Sequence, residues 1–171
     1  MGLTVVAFEP NPDTRTLLAR NVRLNGLTNR VTIEPYAVSD TADESDFFML
    51  PGEGRSRLGQ PFHADLTSAG RVTTTTLDDY VARAGVAPNW LLIDIEGYEI
   101  AALRGARRLI AARGDELTVV VEMHPNVWAQ SGTSRDEAEQ LLGELRLRPV
   151  PLSGQADPLA DYGIVHLARG S

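Results

Sequence analysis

The chain has neither cysteine nor lysine. The first absence excludes disulfides, thiolate metal sites and cysteine nucleophiles. The second leaves arginine as the sole strong cation, with 16 basic residues against 23 acids and a net charge of −7. An acidic surface repels phosphate backbones, so no nucleic acid is expected as a partner. Long apolar runs are missing too. None approaches the roughly 20 residues that a helix needs to cross a bilayer, so no membrane partner is expected either. Residues 1–9 lack the charged and apolar regions of a secretory signal, and a cytoplasmic location is the expectation. What remains is 171 residues, 43% hydrophobic, enough for one domain over residues 1–171 with a sizeable core.

Local patterns alternate between strand and helix. Thr4 to Phe8 reads as a buried strand. Asn11-Pro12-Asp13 reads as a helix start, with Leu17, Leu18 and Val22 as the apolar stripe and Gly26 as the stop. Val31 to Val38 is the next strand, and strand–helix–strand at this spacing implies parallel pairing. Residues 40–76 depart from the pattern. They hold several acids and glycines, and read as an irregular excursion with a small β-hairpin, closing through Val72 to Thr75. Thr76 and Asp79 have capping-box spacing for a short helix ending near Gly85.

Trp90 to Ile95 is apolar enough to be a strand buried on both faces. One helix is expected from Ile100 through Ile110, stopping at Gly114, and then a buried strand over Leu117 to Val121. Ser134 and Glu137 form a second capping box, and Val150–Leu152 with Gly163–Ala168 read as an antiparallel edge pair. The expected fold is therefore α/β and Rossmann-like: a mostly parallel sheet with helices on both faces, plus the hairpin insertion and the C-terminal antiparallel strands. The basic cluster Arg104, Arg107, Arg108 and Arg113 lies late on a predicted helix, where cations complement the dipole, and reads as that rather than as a phosphate site.

Ligands of such sheets bind at the carboxyl ends of the strands. Those ends read Glu9-Pro10-Asn11, Tyr36-Ala37, Asp94-Ile95-Glu96-Gly97-Tyr98-Glu99 and Glu122-Met123-His124. Each bears an acid on or just beyond it. Glu9 is either a solvated loop acid or a ligand for ribose hydroxyls. Asp94 ends an apolar run, where a charge needs a partner. Glu99 reads as a first-turn acid favoured by the dipole. His124 is either structural or a proton acceptor, given its position and its neighbour Glu122. An oxygen-rich magnesium or manganese site from Asp94, Glu96, Glu122 and His124 is a minority reading, since their spacing is no metal signature. Gly52 to Gly59 mimics a phosphate loop but lacks its lysine and its strand–helix setting.

The segments Val5-Val6-Ala7-Phe8-Glu9-Pro10-Asn11-Pro12, Ala37-Val38-Ser39-Asp40, Thr76-Leu77-Asp78-Asp79, Ile93-Asp94-Ile95-Glu96-Gly97-Tyr98-Glu99 and Val121-Glu122-Met123-His124, in this order, resemble the FkbM-type methyltransferases. That resemblance implies methyl transfer from S-adenosyl-L-methionine (SAM) to a hydroxyl of a small metabolite such as a sugar or polyketide. It implies cofactor contacts from Glu9, Pro10, Asn11, Tyr36, Ala37 and Asp94, and reaction chemistry at Asp94, Glu96 and His124. The excursion and the loop from Pro125 to Gly132, with Trp128, are expected to cover the acceptor.

One departure stands out. The glycine-rich turn of this fold precedes its ribose-binding acid by about 20 residues. With Glu9 as that acid, this sequence starts at the family's second strand and lacks the segment that grips the methionine end. The expectations are weak or no SAM binding by this chain alone, and self-association through an exposed sheet edge. The alternative is a non-catalytic Rossmann-like remnant serving as an interaction subunit.

Overall fold

The computed structural model describes residues 2–49, 56–58 and 67–170. The chain opens with β1 (Val5–Phe8), α1 (Pro12–Leu24) and β2 (Val31–Glu34), and β1 pairs with β2 in parallel. Asn11 starts α1 as expected: its side chain accepts from the N–H groups of Asp13 and Thr14, with Pro12 in the first turn. The single strand expected over Val31 to Val38 is two. It breaks at Pro35, which cannot donate to a ladder, and β3 (Ala37–Val38) pairs with a different sheet.

The excursion is a real insertion. It forms β4 (Glu44–Met49), β5 (Ser56–Leu58) and β6 (Thr67–Thr75), in the order β3-β6-β4-β5. β4 and β5 make the expected antiparallel pair, and the ladder of β4 with β6 shifts register between Phe47 and Phe48, where β6 carries one extra residue. Phe47, Leu58 and Ala37 form a small core of their own. Of the loop that mimics a phosphate site, Gly52 to Arg55 and Gly59 lie outside the described residues.

Next come α2 (Leu77–Ala84), β7 (Trp90–Ile93), α3 (Glu99–Arg104), α4 (Arg107–Arg113), a 3-10 turn (Gly114–Glu116) and β8 (Thr118–Met123). The chain ends with a longer 3-10 segment (Pro125–Ser131), α5 (Arg135–Glu144), β9 (Leu147–Pro151) and β10 (Gly163–Arg169). Thr76 caps α2 through the Asp79 N–H, Gly85 ends it in the left-handed conformation, and Ser134 with Glu137 completes a reciprocal capping box on α5. The helix expected from Ile100 to Ile110 is broken in two at Gly105. A side chain there would overlap the carbonyl oxygen of Ser39, so the close approach of this loop requires glycine. α4 then starts without a cap of its own, and Asp78 of α2 supplies one, accepting from the N–H groups of Arg108 and Leu109.

β7, β8, β10 and β9 form a four-stranded sheet, parallel between β7 and β8 and antiparallel through β10 and β9. Its core face carries Val119, Val121, Met123, Val165 and Leu167, packed with Ile100, Leu103 and Ala106 of the α3–α4 region and Ala138, Leu141 and Leu142 of α5. Each large apolar side chain buried here contributes about 1.5–3 kcal/mol.

The α/β class, the antiparallel C-terminal pair and the hairpin insertion are all present, but the strands divide among three sheets rather than one. β1 pairs only with β2, and β7 only with β8, among the described residues. The expectation that β7 is buried on both faces is also corrected. Trp90 is 64% exposed and Leu92 78% exposed, because nothing described packs on the face they share. The small β1–β2 sheet is tied to the rest through α2, where Phe8 meets Tyr80 edge to face at 4.8 Å and the Tyr80 hydroxyl donates to Glu34 at 3.0 Å.

Candidate functional site

Register decides which strand ends meet. β7 and β8 run in parallel with Ile93 opposite Val121, so Asp94 and Glu122 follow side by side. Their carboxyl groups share a hydrogen bond, and loss of hydration, then the charge and hydrogen bond of Glu122, push Asp94 up to about 6. Beyond Asp94 the chain turns sharply: Glu96 has φ 51° and Gly97 φ 96°. The turn is braced by the 3-10 segment, since the Ser131 hydroxyl donates to Gly97 O at 2.7 Å. A Cβ on Gly97 would stand 2.8 Å from Val127 Cγ2, so this glycine answers both a left-handed backbone and a close contact.

The turn delivers Glu99 into the interior. It is wholly buried, and its carboxylate accepts from the Gly97 N–H at 2.6 Å and the Trp128 Nε1–H at 2.9 Å, with His124 Nδ1 at 2.8 Å. Glu99 stands in the first turn of α3 as expected, but that reading does not reach this network. His124 is itself buried, and its Nε2 lies 3.7 Å from Glu96 Oε2. Burial pulls its pKa down, but the hydrogen bond and charge of Glu99, with Glu96 and Asp94, outweigh that and leave it raised. Tyr162, ahead of β10, completes the rim: its hydroxyl donates to Glu122, and its ring lies 5.2 Å from that of His124. No sequence signal pointed to Tyr162.

The structure thus brings Asp94, Glu96 and His124 together, and adds Glu99, Glu122, Trp128 and Tyr162 to them. Among the described residues, no three of the acids and histidines converge tightly enough to hold a metal ion.

Apart from Asp94, the residues expected to bind a cofactor lie after β1 and β2. Glu9 follows β1, and its Oε1 accepts the Asn11 N–H at 2.8 Å. Burial raises its pKa, partly offset by that bond and by Arg15. The carbonyls of Glu9 and Pro10 both accept from Arg15. The Asn11 side chain is spent on capping α1. Tyr36 lies beneath the Arg83 guanidinium, 5.4 Å from ring to cation, while Ala37 is buried in the small core of the insertion. The arginine cluster is accounted for by acids rather than by the dipole alone: Arg104 pairs with Asp40, Arg107 with Glu144, Arg108 with Asp78 and Asp79, and Arg113 with Glu116. A hollow of about 310 Å³ between α2 and α4, lined by Val81, Ala82, Val86 and Leu109, lies apart from the strand-end acids.

Comparison with known proteins bears on the fold and the family. The crystal structure of methyltransferase FkbM from Methylobacillus flagellatus KT is similar to 95% of this chain, with a TM-score of 0.58 and 20% identity. The chain covers only 36% of that protein, and at this identity the likeness shows the fold alone. No curated protein matches the chain. The family model of the methyltransferase FkbM domain matches residues 1–148, most of the chain and all of the strand ends just described, and the chain belongs to that family.

Proposed function

We propose that this chain is a SAM-dependent O-methyltransferase acting on a hydroxyl of a small metabolite, such as a sugar or polyketide. The observation that carries the reading is the meeting of Asp94, Glu96 and His124 at the carboxyl ends of two parallel strands, with His124 held from behind by a buried acid.

The residues present suit the cofactor in two respects. Glu9 ends a parallel strand with Oε1 bonded to the Asn11 N–H, and its second oxygen has no hydrogen-bond partner among the described residues, which suits a ribose hydroxyl. The rim formed by Asp94, Glu96 and Glu122 is acidic, which suits a cationic donor. Bound SAM supplies a methyl group activated on a sulfonium. Glu9 would hold the ribose, Tyr36 would flank the adenine, and Asp94 and Glu96 would line the methionine end and the acceptor, while Ala37, buried in the core of the insertion, is too enclosed to touch the cofactor. His124 Nε2 receives the proton of the acceptor hydroxyl, so that its oxygen is a competent nucleophile. The rim orients that oxygen, and orientation alone supplies a large share of such a rate.

The test is transfer of labelled methyl from SAM into a panel of sugars and polyketides. Transfer that is lost with His124→Gln supports the reading, while no transfer to any hydroxyl acceptor overturns it. Calorimetry separates binding from chemistry: Glu9→Ala weakens SAM by about tenfold if it holds the ribose.

A second reading, a non-catalytic domain that serves as an interaction subunit, draws on the exposed Trp90 and Leu92 and on the edges of β1 and β7, which have no partner strand among the described residues. Against it stands Glu99, a buried acid that costs stability unless something is gained from it.

A further inference from the structure

We infer that Glu99 is a positioning residue, whose buried carboxylate fixes a proton on Nδ1 of His124 and leaves Nε2 as the proton acceptor. The inference rests on the reading of His124 as the base.

The argument starts from which groups can only donate. The backbone N–H of Gly97 and the indole N–H of Trp128 have no lone pair to offer. They lie on different oxygens of Glu99, Gly97 on Oε1 and Trp128 on Oε2. Both oxygens therefore act as acceptors, the arrangement that an ionised carboxylate provides. The third contact, Oε1 to His124 Nδ1 at 2.8 Å, is then donated by the imidazole. A neutral imidazole has a single N–H, so placing it on Nδ1 puts the lone pair on Nε2. A glutamine would present an NH₂ group to one of these donors, so the pattern asks for a carboxylate. When a hydroxyl proton reaches Nε2, the resulting imidazolium is in contact with the charge of Glu99.

Every other titratable group facing His124 is acidic or phenolic. Glu96 and Asp94 face it from the turn after β7, Glu122 from its own strand, and Tyr162 from the segment before β10. Among the described residues, none of these makes a hydrogen bond to the ring, and Glu99 does. That makes the network separable by substitution: Glu99→Gln removes the negative charge that faces Nδ1, and Trp128→Phe keeps an aromatic ring while removing one donor from Glu99, making its carboxylate a stronger acceptor.

The experiment is an NMR titration of the His124 imidazole in the full chain, assigned by its loss in His124→Gln, alongside the pH profile of methyl transfer. The expected result is a neutral His124 with its proton on Nδ1. Its pKa falls in Glu99→Gln and rises in Trp128→Phe. The rising limb of the pH–rate profile moves to lower pH in Glu99→Gln, with kcat lower by about tenfold or more. If Glu99→Gln fails to fold, the opposite shift in Trp128→Phe carries the test. A wild-type proton on Nε2, or pKa values unmoved by either variant, overturns the inference. A chain that transfers no methyl defeats the proposed function instead, and the tautomer and the two shifts still decide the role of Glu99.

Discussion

Asp94 and Glu122 stand side by side at the ends of two parallel strands and share a hydrogen bond. Two carboxyl groups so placed do not both ionise freely, and Asp94 is held up at about 6, well above its ordinary 3.8. The folded chain therefore keeps a proton there that the unfolded chain releases near pH 4. The sign follows: the contribution is fully present below the ordinary value and is lost as pH rises from about 4 through 6. Because Asp94 is exposed on one side, solvent screening reduces the effect to about 1 kcal/mol at neutral pH. Asp94→Asn is expected to raise the thermal midpoint at pH 7.5 and to leave it unchanged at pH 4. Calorimetric scans at the two pH values check this, and equal shifts at both would mean that the pair is not the cause.

The raised pKa of His124 has a kinetic consequence. In the proposed role of base it works only when unprotonated, so methyl transfer is expected to climb with pH through a value above the 6.5 of a free histidine. His124→Gln removes that limb and lowers kcat by about a hundredfold or more. Initial rates between pH 6 and 9.5 measure both effects. A profile already flat at pH 6.5 would show that His124 does not take the proton.

Gly97 tests the geometry of the turn. Its φ of 96° is unfavourable for any residue with a side chain, and a Cβ there would meet Val127. Gly97→Ala is expected to cost about 1–3 kcal/mol and to loosen the 3-10 segment that holds Trp128 on Glu99. Denaturant unfolding gives the first quantity, and the fluorescence of the indole the second. Gly132, also left-handed but with open space where a Cβ would stand, is the control: alanine there meets backbone strain without the clash.

How much of this was legible beforehand depends on the range of the interaction. Caps were, because Asn11, Thr76 and Ser134 each act on N–H groups two or three residues away. Strand-end acids were, because parallel pairing brings the ends of β7 and β8 to one edge. Glu99 does stand in the first turn of α3, but its network was not legible because its partners are not local: His124 is 25 residues on and Trp128 is 29. Tyr162 was invisible for the same reason, 40 residues from Glu122. The break at Gly105 depends on the approach of Ser39, which no helical periodicity records.

The exposed face of β7 leads to the last prediction. In register, Leu92 of β7 lies beside Val120 of β8, and Ile164 of β10 lies beside Glu122. Trp90, Leu92 and Ile164 thus share one face of the sheet, at 64%, 78% and 40% exposure, next to a β7 edge with no partner among the described residues. Such a face, joined to an open strand edge, drives association. We propose that two copies of the chain associate through it, with a sedimentation coefficient that rises with concentration in the micromolar range. Leu92→Ser with Trp90→Ser removes much of the apolar surface without touching the core, and is expected to shift the chain to monomer with its unfolding midpoint unchanged. A double variant that still associates would place the contact elsewhere. One that also loses stability would mean that these side chains pack within a single chain, against the exposure seen here.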